Sequence, residues 1–211
     1  MGIIKRAQIE KLRKPATWFG GAIFIIVLVF SAPPDNTTLV SKVTEIIGYV
    51  FITLAMLGRV WCAVYIDGSK NSELVKDGPY SIWRNPLYIF SFLGLIGILL
   101  GIQALSLLLI VTPVYWGFYF FVIKTEEKRL LELFGEEFVN YRSKVNRIIP
   151  RFWNYWSRSD IANVNSRLLF RSIIRASFFM WFLLLLEIFN EVKLIQANGK
   201  GIIPILWSMP F

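Results

Sequence analysis

Between positions 85 and 123 the chain runs for 39 residues without an Asp, Glu, Lys or Arg. A bilayer-crossing helix takes about 20 largely apolar residues, so this stretch is too long for one span and suits two joined by a tight turn. Gly101-Ile102-Gln103 is the natural turn, which predicts helices over 86–101 and 104–123. Gly94, Gly97 and Gly101 fall near one face of the first, where small residues let another helix approach. Pro113 is expected to kink the second.

Three further stretches extend this pattern. Residues 15–34 are free of charge and follow Lys5, Arg6, Lys11, Arg13 and Lys14, which predicts a first span. No small-x-small cleavage site follows it, so a span is the better reading than a signal peptide. A second span is expected over 46–66, interrupted by Arg59, which either snorkels to the interface or lines a polar site. The last, 168–189, carries Arg167, Arg171 and Arg175 on one helical face and is read as a span, the alternative being a helix lying in the interface. The apolar tail from 201 to 211 either packs on the bundle or lies in the interface. The fold class is all-α, a polytopic membrane helical bundle of about five transmembrane helices with a cytoplasm-facing pocket, in one domain over 1–211.

Composition agrees. Hydrophobic residues make up 55% and charged ones 18%, against roughly 45–50% and about 25% in soluble domains. The net charge is +9, and an N-terminus inside leaves only Lys42, Lys193 and Lys200 outside among the 23 Lys and Arg residues. Positive residues stay on the cytoplasmic side of membranes, so the basic charge speaks of orientation and anionic lipid. No nucleic-acid motif accompanies it, and nucleic acid is not an expected partner. The expected location is the cell inner membrane, multi-pass, with the N-terminus and the loops of the hairpin's base cytoplasmic. The absence of histidine removes His-ligated metals and Ser-His-Asp or Cys-His catalysis, while the lone Cys62 allows neither an intramolecular disulfide nor a Cys-rich cluster. No metal site is expected.

A helical hairpin returns its ends to neighbouring positions, so the polar segments flanking 85–123 should meet at one membrane surface. The first includes Gly78-Pro79-Tyr80 and Arg84-Asn85-Pro86-Leu87-Tyr88, with a turn at Gly78-Pro79 and a helix start at Asn85-Pro86. The second includes Glu126-Glu127 and Phe134-Gly135. Beyond Gly135, Phe134, Phe138, Tyr141 and Val145 recur at helical spacing opposite Arg142, Lys144 and Arg147, an amphipathic helix that either lies on the membrane or covers a site. Each element alone is ordinary, whereas together across a returning hairpin they point to a polar pocket.

At these residues the sequence resembles the isoprenylcysteine carboxyl methyltransferase and phospholipid methyltransferase superfamily of integral membrane enzymes. The family pattern is Gly-x-Tyr, Arg-His-Pro-x-Tyr, a membrane hairpin, Glu-Glu, then Phe-Gly-x-x-Tyr-x-x-Tyr. It is matched by Gly78-Pro79-Tyr80, Arg84-Asn85-Pro86-Leu87-Tyr88, Glu126-Glu127 and Phe134-Gly135-Glu136-Glu137-Phe138-Val139-Asn140-Tyr141. The match covers 59–152 in order and spacing, leaving 153–211 as a C-terminal helix and tail. The resemblance implies S-adenosylmethionine as methyl donor and a lipophilic small molecule or lipid as acceptor, entering from the bilayer. Carried over by position, the cofactor contacts are Ser72, Glu73, Leu74, Val75, Tyr80, Asn85, Pro86, Leu87, Tyr88 and Glu126.

Two departures bear on chemistry. The family histidine is Asn85 here, which hydrogen-bonds but cannot serve as a base. In the prenylcysteine enzymes an Arg one turn before the cofactor Glu holds the substrate carboxylate, and the aligned residue here is Val122, with Lys124 the nearest cation. The expected reaction is methyl transfer to a lipophilic acceptor, a carboxylate as in the isoprenylcysteine enzymes. The alternatives are a phospholipid amine, a small thiol, or a non-catalytic membrane scaffold that keeps the fold. A carboxylate needs no base; a protonated amine or a thiol does, and Glu127 is then the candidate. Arg84 fits equally as an orienter of an anionic substrate or as an anchor on lipid phosphate.

Overall fold

The computed structural model describes residues 38–66, 73–156 and 166–197. The first expected span over 15–34, the tail from 201 and Ser72 lie outside the described residues. The described residues up to Ile188 belong to one compact unit. Among the described residues every element is helical: α1 Leu39–Ile66, α2 Pro79–Ile82, α3 Pro86–Gly101, α4 Leu105–Lys144 and α5 Ser166–Ala197, with a 3-10 turn at Phe152–Asn154. Both α1 and α4 are long and apolar enough to cross a membrane.

The charge-free hairpin folds as expected. α3 begins at Pro86, where the missing N–H is an orphan of the first turn in any case. It ends at Gly101, and the turn is made by Gln103 with φ 58°. α1 starts seven residues before the predicted 46. Thr38 caps it, its Oγ1 accepting from the Ser41 N–H at 3.1 Å, and this cap carries the polar turns around Lys42 and Glu45 into the helix. α4 does not stop at 123. It continues helically through the second polar segment and leaves helical dihedrals at Gly135, where φ is 50°. Pro113 sits within the helix, and the break lies at Gly135. The last predicted span falls inside α5, which is longer at both ends.

α1 and α3 pack through small residues. A Cβ added to Gly48 would lie 2.5 Å from the Gly101 nitrogen and 2.7 Å from the Gly97 carbonyl oxygen, so the two backbones touch. One turn of α5 closes this pair, with Leu183 packed against Ile52 and Ile98. At the same end the Tyr49 hydroxyl lies 2.7 Å from Glu45 and 2.8 Å from Glu187, tying α5 to α1. Between α3 and α4 the seam is aromatic: Tyr88 against Tyr119 at 4.9 Å, Phe92 against Tyr115 at 5.0 Å. Away from that seam α4 presents Leu109, Ile110, Val114 and Phe121 outward, the surface expected where the surrounding solvent is lipid.

Candidate functional site

The polar segments at the two ends of the hairpin do meet. Gly78 has φ 56°, which frees the chain to turn, and the Tyr65 ring fills the place a side chain there would take. Its N–H donates to the Trp156 carbonyl at 2.8 Å, and the Trp156 N–H donates to Ser81 Oγ at 3.1 Å. Pro79 then starts α2, which seats Tyr80 in the interior at 7% exposure. The Tyr141 hydroxyl donates to the Tyr80 carbonyl at 2.7 Å, and the Arg84 N–H donates to the Asn146 carbonyl at 2.8 Å. These bonds fasten the segment before α3 to the amphipathic helix beyond Gly135. That helix buries Phe138, Tyr141 and Val145 with Leu74, and Leu130 and Phe134 pack against them, as its spacing predicts.

A partly open cavity of about 120 Å³ lies between these pieces. Of the residues singled out in the sequence, Glu73, Leu74, Val75, Tyr80, Arg84, Asn85, Leu87, Tyr88, Glu126, Phe134 and Tyr141 line it. Pro86 is fully buried behind the wall as the first residue of α3 and does not line the cavity. The lining residues not foreseen are Ile66, Arg129 and Leu130. Positions 129 and 130 follow Glu126 at three- and four-residue steps, so the helical periodicity of α4 was the signal for them.

Charge and hydrogen bonding in the wall are uneven. The Tyr88 hydroxyl donates to Glu126 Oε2 at 2.7 Å, and the Tyr115 hydroxyl donates to the Tyr88 carbonyl at 2.8 Å, so Tyr88 is oriented at both ends. The Tyr80 hydroxyl and Asn85 Nδ2 are buried without a hydrogen-bond partner. Burial holds the Tyr80 phenol well above its ordinary range, so it stays neutral and able to donate.

Glu127 is placed differently from the base the sequence suggested. It is 7% exposed and does not line the cavity. Arg147 donates to both its oxygens, Nε to Oε1 at 2.9 Å and Nη2 to Oε2 at 2.6 Å, and Arg84 Nη1 lies 3.1 Å from Oε1. This hydrogen bonding pushes the Arg147 guanidinium up, while burial pulls Arg84 down against the pull of Glu127. Arg84 is thus drawn inward to a carboxylate, with a side chain 13% exposed, instead of reaching for lipid phosphate. Lys124 is exposed and sits over the Phe120 ring at 4.5 Å, and it does not line the cavity.

The donor set tests well against a zwitterionic nucleoside sulfonium. Carboxylates at Glu73 and Glu126 suit its positive charges, aromatic faces suit adenine, and the unpartnered Tyr80 hydroxyl, Arg84 Nε and Asn85 Nδ2 suit hydrogen-bond acceptors such as hydroxyl or carboxylate oxygens.

Comparison with known proteins gives a consistent picture. The family model for phospholipid methyltransferase matches residues 37–137. A nickel-cobalt-cadmium resistance protein of Alcaligenes xylosoxydans xylosoxydans is 32% identical over 174 residues, 82% of this chain and 79% of that one. A cobalt-zinc-cadmium resistance protein of Cupriavidus metallidurans is 35% identical over 132 residues, 63% of this chain and 61% of that one. The protein-S-isoprenylcysteine O-methyltransferase of Saccharomyces cerevisiae is 34% identical over 125 residues, 54% of this chain and 52% of the yeast enzyme. No solved structure matches the chain significantly.

Proposed function

The chain belongs to the superfamily of isoprenylcysteine carboxyl methyltransferases and phospholipid methyltransferases, and from that premise we propose that it methylates the carboxylate of a lipophilic acceptor at the cavity between α2, α3 and α4. It is a membrane methyltransferase whose donor is S-adenosylmethionine. The observation that carries the site is the set of buried, unpartnered polar atoms on lining residues, the Tyr80 hydroxyl, Arg84 Nε and Asn85 Nδ2, in a cavity that also holds Glu126. A buried polar atom left unpaired costs about 1–3 kcal/mol, so three in one wall favour a polar ligand there.

The proposed donor contacts are Ser72, Glu73, Leu74, Val75, Tyr80, Asn85, Leu87, Tyr88 and Glu126, with Pro86 starting the helix that carries Leu87 and Tyr88. When bound, the donor supplies a methyl group activated by a positively charged sulfur. Glu126, oriented by the Tyr88 hydroxyl, balances that charge. Leu74, Leu87, Leu130 and Phe134 exclude water and fix the line of approach, which is the main task in an in-line displacement. A carboxylate acceptor calls for no base, in keeping with a Glu127 already engaged by two arginines. The pocket opens to the cytoplasm, five helices cross the cell inner membrane, and the acceptor arrives from the bilayer.

The resistance proteins named above carry nickel, cobalt, zinc and cadmium in their names. The activity proposed for this chain, methyl transfer, rests instead on the family match and on the cavity residues.

Calorimetric titration of the detergent-solubilised protein with S-adenosylhomocysteine tests the site. Saturable binding is expected, weakened at least about tenfold by Glu126→Ala. No binding at millimolar ligand by folded protein overturns the reading, and wild-type affinity in Glu126→Ala removes that residue from the site.

A further inference from the structure

Arg59 is the one charged side chain of α1 between Glu45 and Ile66, and the hairpin it packs against has none over 85–123. A charge at such depth costs several kcal/mol unless the bundle interior uses it. The guanidinium does not turn outward to the interface. Its Nη1 donates to Ser91 Oγ on α3, and Ser91 in turn donates to the Leu87 carbonyl at 2.6 Å. It lies within electrostatic reach of Tyr115, Tyr119 and Tyr80. Two of these belong to the aromatic seam that ends at the cavity: Tyr115 stacks near Tyr119 at 4.3 Å, Tyr119 near Tyr88 at 4.9 Å, and Tyr88 meets Glu126. The third, Tyr80, is itself in the cavity wall.

Depth along α1 gives the geometry. Ile66 lines the cavity, and Arg59 lies two turns before it on the same face, about 10 Å deeper at 1.5 Å per residue. Arg59 does not itself line the cavity but lies behind it along α1, toward the bilayer from which a lipophilic acceptor would come.

We propose that Arg59, aimed by Ser91, forms the acceptor subsite of the transferase, holding the carboxylate of a lipophilic acid against the donor pocket. This rests on the transferase reading above. One carboxylate oxygen stays on the guanidinium while the other forms the new O–CH3 bond. The S–CH3 bond breaks with its electron pair going to sulfur, so an anion and a sulfonium become a neutral ester and a neutral thioether, and no proton moves. Arg59 thereby fixes the angle of attack and offsets the charge of an acid drawn into apolar surroundings.

The full-length protein in nanodiscs is incubated with methyl-labelled donor and a total membrane lipid extract, and label is separated into base-labile ester and base-stable product. Donor affinity is measured alongside by calorimetry with S-adenosylhomocysteine. Wild type is expected to form base-labile ester. Arg59→Gln should lower kcat/KM for the extract at least about tenfold while donor affinity stays within about twofold, and Arg59→Lys should restore part of the loss. Ser91→Ala, a milder change, should raise the half-saturating extract concentration a few-fold with donor affinity unchanged. Ester formation by Arg59→Gln at the wild-type rate overturns the subsite, as does label found only in base-stable amine or thioether. Should Arg59→Gln fail to fold, wild-type half-saturation in Ser91→Ala overturns it instead. Wild type that binds donor but labels nothing overturns the subsite and the carboxylate acceptor with it, while wild type that binds no donor overturns the donor site itself.

Discussion

The Glu127 side chain is 9% exposed and meets nitrogens of two guanidinium groups, whereas Glu126, one position before it on the same helix, is exposed and meets the phenol of Tyr88. Successive residues on a helix point about 100° apart, so an adjacent acidic pair divides between cavity and interior. Chemistry divides with it. Removing Glu127 leaves Arg84 buried beside no carboxylate, and breaking such a pair costs about 3–5 kcal/mol, toward the lower end here because Arg147 is 40% exposed. Glu127→Ala is therefore expected to lower the thermal unfolding midpoint of the detergent-solubilised protein by several degrees, with Glu126→Ala close to wild type in the same assay. A midpoint unchanged in Glu127→Ala, with methyl transfer abolished, would return Glu127 to the role of base. Asn85 carries the other residue-scale consequence of a chain without histidine: its amide nitrogen is buried without a hydrogen-bond partner, and nothing at that position can take a proton.

At the scale of elements, the α1–α3 contact depends on glycines that touch backbone to backbone. A methyl at Gly48 meets the backbone of Gly97 and Gly101, and neither can move without shifting a helix. Overpacking of this kind costs about 1–3 kcal/mol. A methyl at Gly117 on α4 meets nothing within 4 Å. Gly48→Ala should thus lower the unfolding midpoint, and Gly117→Ala should leave it unchanged or raise it slightly, since alanine is the better helix former by about 1 kcal/mol. Equal midpoints for the two variants would refute close packing at Gly48. The hairpin was legible in the sequence because Pro86, Gly101 and the missing charges mark its limits together. The start of α1 was not, because Lys42 and Glu45 hide two turns of helix from any hydropathy window, and only the Thr38 cap announces them. Nor did composition show that the segment after Lys124 stays helical, since a polar helix and a polar loop look alike until Leu130, Phe134 and Phe138 are seen to share a partner. The cavity wall was legible through its motif. The Glu127–Arg147 pairing was not, because no local periodicity links groups 20 residues apart across the break at Gly135.

At the scale of the whole molecule, orientation is the property that charge distribution argues for most directly. The apolar outward face of α4 includes Phe121, and Lys124 follows with its ammonium over the Phe120 ring, the arrangement of a cation at a membrane–water boundary. Beyond it come Lys128, Arg129, Arg142 and Lys144, so the proposed cytoplasmic side is the one that holds the cavity. At the start of α1, Thr38 is exposed and Lys42 is the one basic residue of that turn, which places this end on the opposite side in the proposed orientation. The single cysteine is fully buried, so Cys62→Ala gives a background free of thiols at little cost in volume. In that background Thr38→Cys should react with a membrane-impermeant maleimide added to intact spheroplasts, and Glu136→Cys, exposed on α4 beside Gly135, should react only after the membrane is opened. The reverse pattern would invert the orientation and send the donor pocket to the face where S-adenosylmethionine is not made. Labelling of both sites in intact spheroplasts would deny that the two ends of the α1–α4 assembly lie on opposite sides of a bilayer.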